Sequence, residues 1–275
     1  MKTYTLAALA VFLLPQAVFG GAYGSAILII SNAKIQYSDT ESGAYTDVTA
    51  GTEVSVDSTS LGVTNVASIF GATTVVESGS YGPTDTPNTA QAFTTSGTDT
   101  APGEDTFSAV APFSTSVFGR ADQLSSGALI GGLTQNTIAE FESTNGGFGF
   151  AQSSTNGIAG FAVNQTGWYR LVFDASVSLT VSDGAIASST LALTINGNDT
   201  TLDSIISDIS TSISGTKTYT FTDTGITSAA VKLNQFSNSS LSLGQETRVE
   251  ILPEPTSALI FCSLGAVALV RRRRS

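Results

Sequence analysis

Polar and apolar residues alternate along much of the second half of this chain, and the alternation limits what the chain can fold into. Within 177–182 every second residue is apolar and the intervening residues are Ser or Thr. The pattern recurs within 191–195 and ends at Asn196-Gly197, a strong signal for a two-residue hairpin. A period of two is typical of a β-strand with one buried face.

Other segments rich in β-branched and aromatic residues are also predicted to be strands. The full set is 26–37, 52–58, 137–142, 168–173, 177–182, 191–195, 217–222, 231–236 and 247–252. Segment 26–37 carries apolar residues on both faces, which predicts a strand that is buried on both sides. Short strands that recur with turn signals between them predict an all-β chain, an antiparallel β-sandwich or jelly-roll-like body.

Two segments depart from this pattern. Residues 78–106 contain three prolines, four glycines and few large apolar residues, which predicts a long surface loop or a linker. Segment 202–213 has apolar residues at helical spacing, which predicts a short amphipathic helix.

Composition agrees with strands joined by polar turns, since Ser and Thr make up more than a quarter of the chain. The single cysteine, Cys262, lies near the C-terminus, so residues 23–252 contain no disulfide. The same residues contain 6 Lys and Arg against 21 Asp and Glu, a net charge of −15. Phosphate binding needs clusters of Lys and Arg, so nucleic-acid recognition is excluded.

The N-terminus has the order expected of a secretory signal peptide, which we assign to residues 1–22. Met1-Lys2 is basic, an apolar stretch follows from Leu6 to Leu14, and small residues follow at 20–22. Cleavage is expected after Gly20 or after Ala22. The exported β-rich body is then residues 23–252.

The C-terminal residues 253–275 contain three elements in a fixed order. Pro253, Glu254 and Pro255 come first, an apolar transmembrane segment 257–270 follows, and Arg271, Arg272, Arg273 and Arg274 end the run. The apolar segment is about 15 residues, or roughly 22 Å as a helix, which makes a short membrane span. Basic flanks stay cytoplasmic, so the four arginines place the body on the far side of the membrane.

This tail resembles the PEP-CTERM sorting signal of Gram-negative bacteria, whose carriers are substrates of exosortases. The resemblance implies recognition at Pro253, Glu254 and Pro255, removal of the tail, and a link to exopolysaccharide and biofilm. Segments 118–122, 125–129 and 167–175 are similar to the Ser- and Ala-rich bodies of the same family, to which no activity is assigned. Two alternatives for the tail are a Gram-positive sortase signal, from which it departs at Pro255 and Ser257, and an unprocessed membrane anchor.

The chain has no histidine, which removes Ser-His-Asp and Cys-His sites and His-bound zinc or iron. It has neither a nucleophile elbow nor a phosphate-binding loop. Catalysis by a pair of carboxylates is not excluded in this way. Glu140 and Glu142 would share one strand face about 6.6 Å apart, a spacing that overlaps the one that paired-carboxylate glycosidases need. The simpler interpretation is a solvent-facing pair with Phe141 directed to the core.

Candidate binding residues are few. Trp168 and Tyr169 could stack on sugar rings, but as strand neighbours they must point to opposite faces. Acidic residues at 99, 104, 105, 199 and 203 match no calcium loop, so we predict no metal site and no cofactor.

The sequence therefore predicts a non-catalytic exported protein of the cell surface or extracellular matrix, associated transiently with the inner membrane and processed by an exosortase. One alternative is a carbohydrate-binding module that contacts extracellular polysaccharide. The second alternative is a carboxylate-based glycoside hydrolase that uses Glu140 and Glu142.

Overall fold

A computed structural model describes residues 21–70, 73–81, 90–97, 117–143, 147–195, 198–199, 207–210 and 216–252. These residues form two antiparallel sheets whose strands we number in chain order. Sheet A contains β1 (Ala22–Ser38), β2 (Thr46–Asp47), β5 (Ala90–Gly97), β6 (Val117–Ala128), β7 (Gly132–Ser143), β9 (Gly167–Ser182), β13 (Thr216–Thr227) and β14 (Val231–Leu233). Sheet B contains β3 (Val54–Ile69), β4 (Thr73–Tyr81), β8 (Gly149–Val163), β10 (Ala185–Ile195), β11 (Asn198–Asp199), β12 (Ser207–Ser210) and β15 (Asn238–Ile251).

The main strand order is β13-β9-β1-β7-β6-β5 in sheet A and β11-β10-β15-β8-β3-β4 in sheet B. The predicted all-β class with antiparallel sheets is therefore confirmed. The alternating residues of each strand divide between an inner face, which meets the other sheet, and an outer face. Most of the buried apolar inner-face residues form one large core, and Leu61 and Val63 of β3 form a small separate cluster.

Strand β1 matches the strand predicted at 26–37. It pairs with β7 on one side and with β9 on the other. Leu28 and Ile30 lie in the core, Ile27 is buried on the outer face, and Ile29 is half-buried. The prediction that this strand is buried on both sides is thus confirmed around Ser25 and Ile27, whereas its outer face from Ile29 to Gln36 is half-buried or exposed.

The two predicted exceptions to the β pattern need correction. Segment 78–106 was predicted to be a loop, yet β4 extends into it and β5 lies within it. Proline disfavours a strand only at its own position in the chain. The stretch 90–97 contains no proline, and it pairs with β6. Segment 202–213 was predicted to be helical, yet residues 207–210 form β12 against β10. Ser, Asp and Ile are weak helix formers, and the open edge of β10 offers them hydrogen bonds.

The hairpin prediction holds as far as the structure describes it. Strands β10 and β11 pair with Ile195 opposite Asn198. The two turn residues, Asn196 and Gly197, lie outside the described residues. Segments 168–173 and 177–182, predicted as separate strands, form the single strand β9.

Two bulges on sheet A share one carboxylate. Asp174 of β9 accepts hydrogen bonds from Asn32 Nδ2 at 2.7 Å and from the Gly225 N–H at 2.8 Å. Asn32 and Gly225 have positive φ angles of 54° and 67°, at the places where β1 and β13 slip register against β9. These hydrogen bonds hold the pKa of Asp174 below its usual range, and the bonds to Asn32 are the larger cause.

The middle of the interior is polar. Ser189, Thr247, Ser153 and Asn65 lie side by side on the inner face of sheet B, and all are buried. Across from them, sheet A contributes buried Gln123, Ser125, Gln135 and Thr137. Ser153 Oγ bridges the sheets by donating to the Asp122 carbonyl at 2.8 Å, whereas Thr247 Oγ1 has no hydrogen-bond partner among the residues that the structure describes.

These two hydroxyls give a matched test of the polar interior. Ser153→Ala should lower the free energy of unfolding by about 1 kcal/mol, because it leaves a buried carbonyl without its donor. Thr247→Val keeps the side-chain shape and removes an unpaired hydroxyl, so it should leave stability unchanged or raise it by up to about 1 kcal/mol. Urea unfolding of both variants measures the difference. A loss in Thr247→Val as large as that in Ser153→Ala would contradict this account.

Candidate functional site

The predicted carboxylate pair lies in a buried ionic cluster on the outer face of sheet A. Phe141 points between the sheets, where a Cβ on Gly149 would meet its ring at 2.7 Å. Strand alternation therefore sends Glu140 and Glu142 together to the outer face, as predicted. The expectation that this face is solvated is wrong, because the two residues are only 0% and 6% exposed.

Within the part of the chain that the structure describes, Arg120 supplies the positive charge of this cluster. It lies opposite Glu140 in the β6–β7 ladder, with Nη1 3.7 Å from Glu140 Oε2 and Nη2 3.5 Å from Asp122 Oδ2. All three side chains are fully buried. A buried carboxylate is tolerated when it is paired, so the guanidinium is what permits these acids to lie here.

Tyr23 of β1 completes the cluster. Its hydroxyl donates to Glu140 Oε1 at 2.8 Å. Burial raises the pKa of Tyr23 far above its usual range, and the negative charge of Glu140 adds to the effect. Tyr23 therefore stays protonated at physiological pH and acts as a fixed hydrogen-bond donor.

The chemistry of this cluster is that of an internal ion network. Paired-carboxylate hydrolysis needs two carboxyl groups that flank a sugar bond in a cleft. Here Glu140 is directed toward Arg120 and Tyr23, and water does not reach it. The same elements that satisfy the carboxylate thus shield it from a substrate.

Trp168 and Tyr169 point to opposite faces, as predicted. Tyr169 is buried in the core, and its hydroxyl donates to the Gln165 carbonyl at 2.7 Å. This hydrogen bond to the backbone four residues upstream resembles the tyrosine corner of β-sandwiches. Trp168 is half-buried on the outer face of sheet A. The two rings therefore cannot form one platform.

A groove of about 740 Å³ crosses the outer face of sheet B, and the sequence patterns did not predict it. Two neighbouring rows of residues form its floor, each running across strands β3, β8, β15 and β10. The first row is Gly62, Asn156, Gly244 and Ala192, and the second is Thr64, Ser154, Glu246 and Thr190. Four strands span about 14 Å at the usual strand spacing, so the groove is long enough for an extended ligand.

Aromatic side chains lie on the same face, beyond the groove. Phe70, which is 46% exposed, has its ring centroid 5.5 Å from that of Phe148 and 6.0 Å from that of Phe150. Arg248 stacks over the Phe150 ring at 4.8 Å and also binds Glu250. The outer face of sheet B thus combines hydroxyl, amide and carboxylate groups with one exposed ring, Phe70, and two half-buried rings.

The remaining predicted site residues lie outside the described residues. These are Pro253, Glu254, Pro255 and the four arginines Arg271 to Arg274. Across the part of the chain that the structure describes, no helix is long and apolar enough to span a membrane. The described residues also contain no group of three or more acidic, His or Cys side chains that could hold a metal ion.

Comparison with protein-family models, with curated proteins and with solved structures finds no match to this chain.

Removing the cation of the buried ion network should lower the free energy of unfolding much more than removing the cation of an exposed charge pair. Arg120→Met should lower the free energy of unfolding by about 3 kcal/mol or more, because it leaves buried carboxylates without their cation. Lys34→Met is the matched control, since it breaks the Lys34–Asp47 pair, whose side chains are 36% and 50% exposed, and should cost less than about 1 kcal/mol. Denaturant unfolding compares the two, and equal losses would contradict the proposed role of Arg120.

Proposed function

We propose that this chain is the precursor of a non-catalytic protein of the cell surface or extracellular matrix. Its β-sandwich is exported across the inner membrane, held there by the C-terminal tail, and separated from the tail by an exosortase. The tail carries the proposal, because Pro253-Glu254-Pro255, the apolar segment 257–270 and four arginines stand in the order of the PEP-CTERM signal. That resemblance also supports a role linked to exopolysaccharide and biofilm.

The architecture of the body supports removal of the tail. The last strand, β15, ends at Ile251, and Leu252 is 45% exposed. Within sheet B, β15 is paired on both sides, with β8 and with β10. A cut at or after Pro253 would therefore leave every residue of β15 in place, still paired with β8 and β10.

The architecture also favours one of the two predicted signal-peptide cuts. Strand β1 begins at Ala22, which is buried and paired with Ser143. Cleavage after Gly20 keeps this pair, whereas cleavage after Ala22 removes it. We therefore expect the mature N-terminus at Gly21.

Intact-mass spectrometry of the protein recovered from cells and medium tests the processing. The expected mass begins at Gly21 and ends within 253–256. Pro253→Ala combined with Pro255→Ala should retain the tail, because it removes the recognition residues. Pro83→Ala combined with Pro87→Ala is the control and should be processed normally. A surface protein that still carries Arg271 to Arg274 would overturn the proposal.

A second candidate function is carbohydrate binding through the groove on sheet B. The observation that favours it is the hydroxyl and amide lining of an open, strand-crossing groove, since sugar ligands bind through hydrogen bonds and aromatic contacts. The exposed ring of Phe70 and the half-buried rings of Phe148 and Phe150 could supply the aromatic contacts. The net charge of −15 on residues 23–252 favours a neutral polysaccharide over an anionic one.

Filling the groove tests this candidate. Added methyl groups at Gly62 and Gly244 would meet nothing closer than 4.0 Å and 3.6 Å, so Gly62→Val with Gly244→Val should narrow the groove without disturbing the sheet. We expect retention on a neutral glycan array to fall at least about tenfold. Ser178→Val, on the outer face of sheet A, is the control and should bind as the parent does. An array with no hit for the parent protein removes this candidate.

A further inference from the structure

Strand β13 forms one lateral edge of sheet A. It pairs with β9 on one side, and no other strand of the described residues pairs with its opposite side. Its residues are exposed except Phe221 and Ile226, which are half-buried, and Tyr219 is 37% exposed. A long exposed edge strand is a template for pairing with another strand.

The regular part of this edge has a self-complementary sequence. Residues 217–223 read Lys-Thr-Tyr-Thr-Phe-Thr-Asp, and the register against β9 is regular until it shifts after Asp223. In an antiparallel pair of two copies centred on Thr220, Lys217 of each copy lies opposite Asp223 of the other. Tyr219 likewise lies opposite Phe221.

Both faces of such a pair match. The odd-numbered residues share one face, where the pairing places opposite charges together at the ends and aromatic rings together at the centre. The even-numbered residues, Thr218, Thr220 and Thr222, share the other face and meet as Thr–Thr pairs. Opposite charges, aromatic pairs and Thr–Thr pairs are the cross-strand contacts that stabilise antiparallel strands.

We propose that β13 is a homotypic docking edge, at which two copies of this chain pair antiparallel about a two-fold axis at Thr220. The pairing joins sheet A of one copy to sheet A of the other in one continuous sheet. A two-fold contact of this kind is closed, so it produces dimers and not open filaments. Seven paired residues are fewer than stable dimers use, so the association is weak and depends on high local concentration.

Charged residues on an edge strand also serve to prevent edge-to-edge pairing. To prevent pairing, an edge strand needs only a charged residue, and charges of the same sign on the two copies would repel best. Lys217 and Asp223 instead carry opposite charges at equal distances from Thr220. The same symmetry holds for the aromatic residues Tyr219, which is exposed, and Phe221, which is half-buried. The bulge fixed by Asp174 and Gly225 limits the pairing to this segment.

Cysteine cross-linking tests the register directly, with the full chain in mild detergent and Cys262→Ser as the background. Directly opposed residues in an antiparallel pair have Cα atoms about 4.5–5.5 Å apart, a distance that a disulfide spans. Thr220→Cys should therefore give a disulfide-linked dimer on mild oxidation. Thr222→Cys is the matched control, because the two copies of residue 222 would lie about 13 Å apart and should not cross-link. Equal cross-linking of the two variants, or none with Thr220→Cys, overturns the proposal.

Charge reversal tests the chemistry of the contact in the Thr220→Cys background. Lys217→Asp and Asp223→Lys should each lower the dimer yield at least about tenfold, because each places like charges opposite one another. The double variant should restore the yield, and a mixture of the two single variants should cross-link as a heterodimer. A double variant that stays as low as the single variants overturns the proposal. Tail contacts cannot mimic this result, since the tail is the same in every variant.

Discussion

The close approach of the two sheets at a few glycines determines where the neighbouring side chains can go. A Cβ at Gly24 of sheet A would lie 2.5 Å from Val249 Cγ1 of sheet B, and one at Gly149 of sheet B would lie 2.7 Å from the Phe141 ring of sheet A. Any larger residue at these positions would force the layers apart. The space at Gly149 is filled by the Phe141 ring, and that placement sends Glu140 to the outer face with the charge that Arg120 must balance.

The sequence predicted the strands better than it predicted what surrounds them. Alternation within 177–182 depends on the two-residue period of a strand, which no other structure shares, so β9 was found although its length was underestimated. Segment 202–213 shows where the spacing of apolar residues fails to predict the structure. Its apolar spacing fits a helix, but the hydrogen bonds offered by the edge of β10 are a tertiary effect that local spacing does not record.

The ionic cluster and the groove were hidden for different reasons. Glu140 and Glu142 were placed correctly on one strand face, but burial of that face depends on residues far away in the sequence, and Arg120 gave no local signal. The groove depends on Gly62 and Gly244 lying in the same row, which requires the register of β3, β8 and β15. The sequence shows that Gly62 and Gly244 are present, but only the register of the strands shows that they lie in one row.

The acidic surface and the edge strand act together in the proposed matrix role. The net charge of −15 on residues 23–252 keeps copies of the body apart at distances within the ionic screening length of about 8 Å. Near β13 the local charges are balanced, since Lys217 and Asp223 are the charged residues of the paired segment. Two bodies repel each other over most of their surfaces, but their β13 strands are neutral overall and complementary to each other. They can therefore approach closely only with these two strands side by side. Such a protein would stay dispersed during export and associate only where the matrix concentrates it.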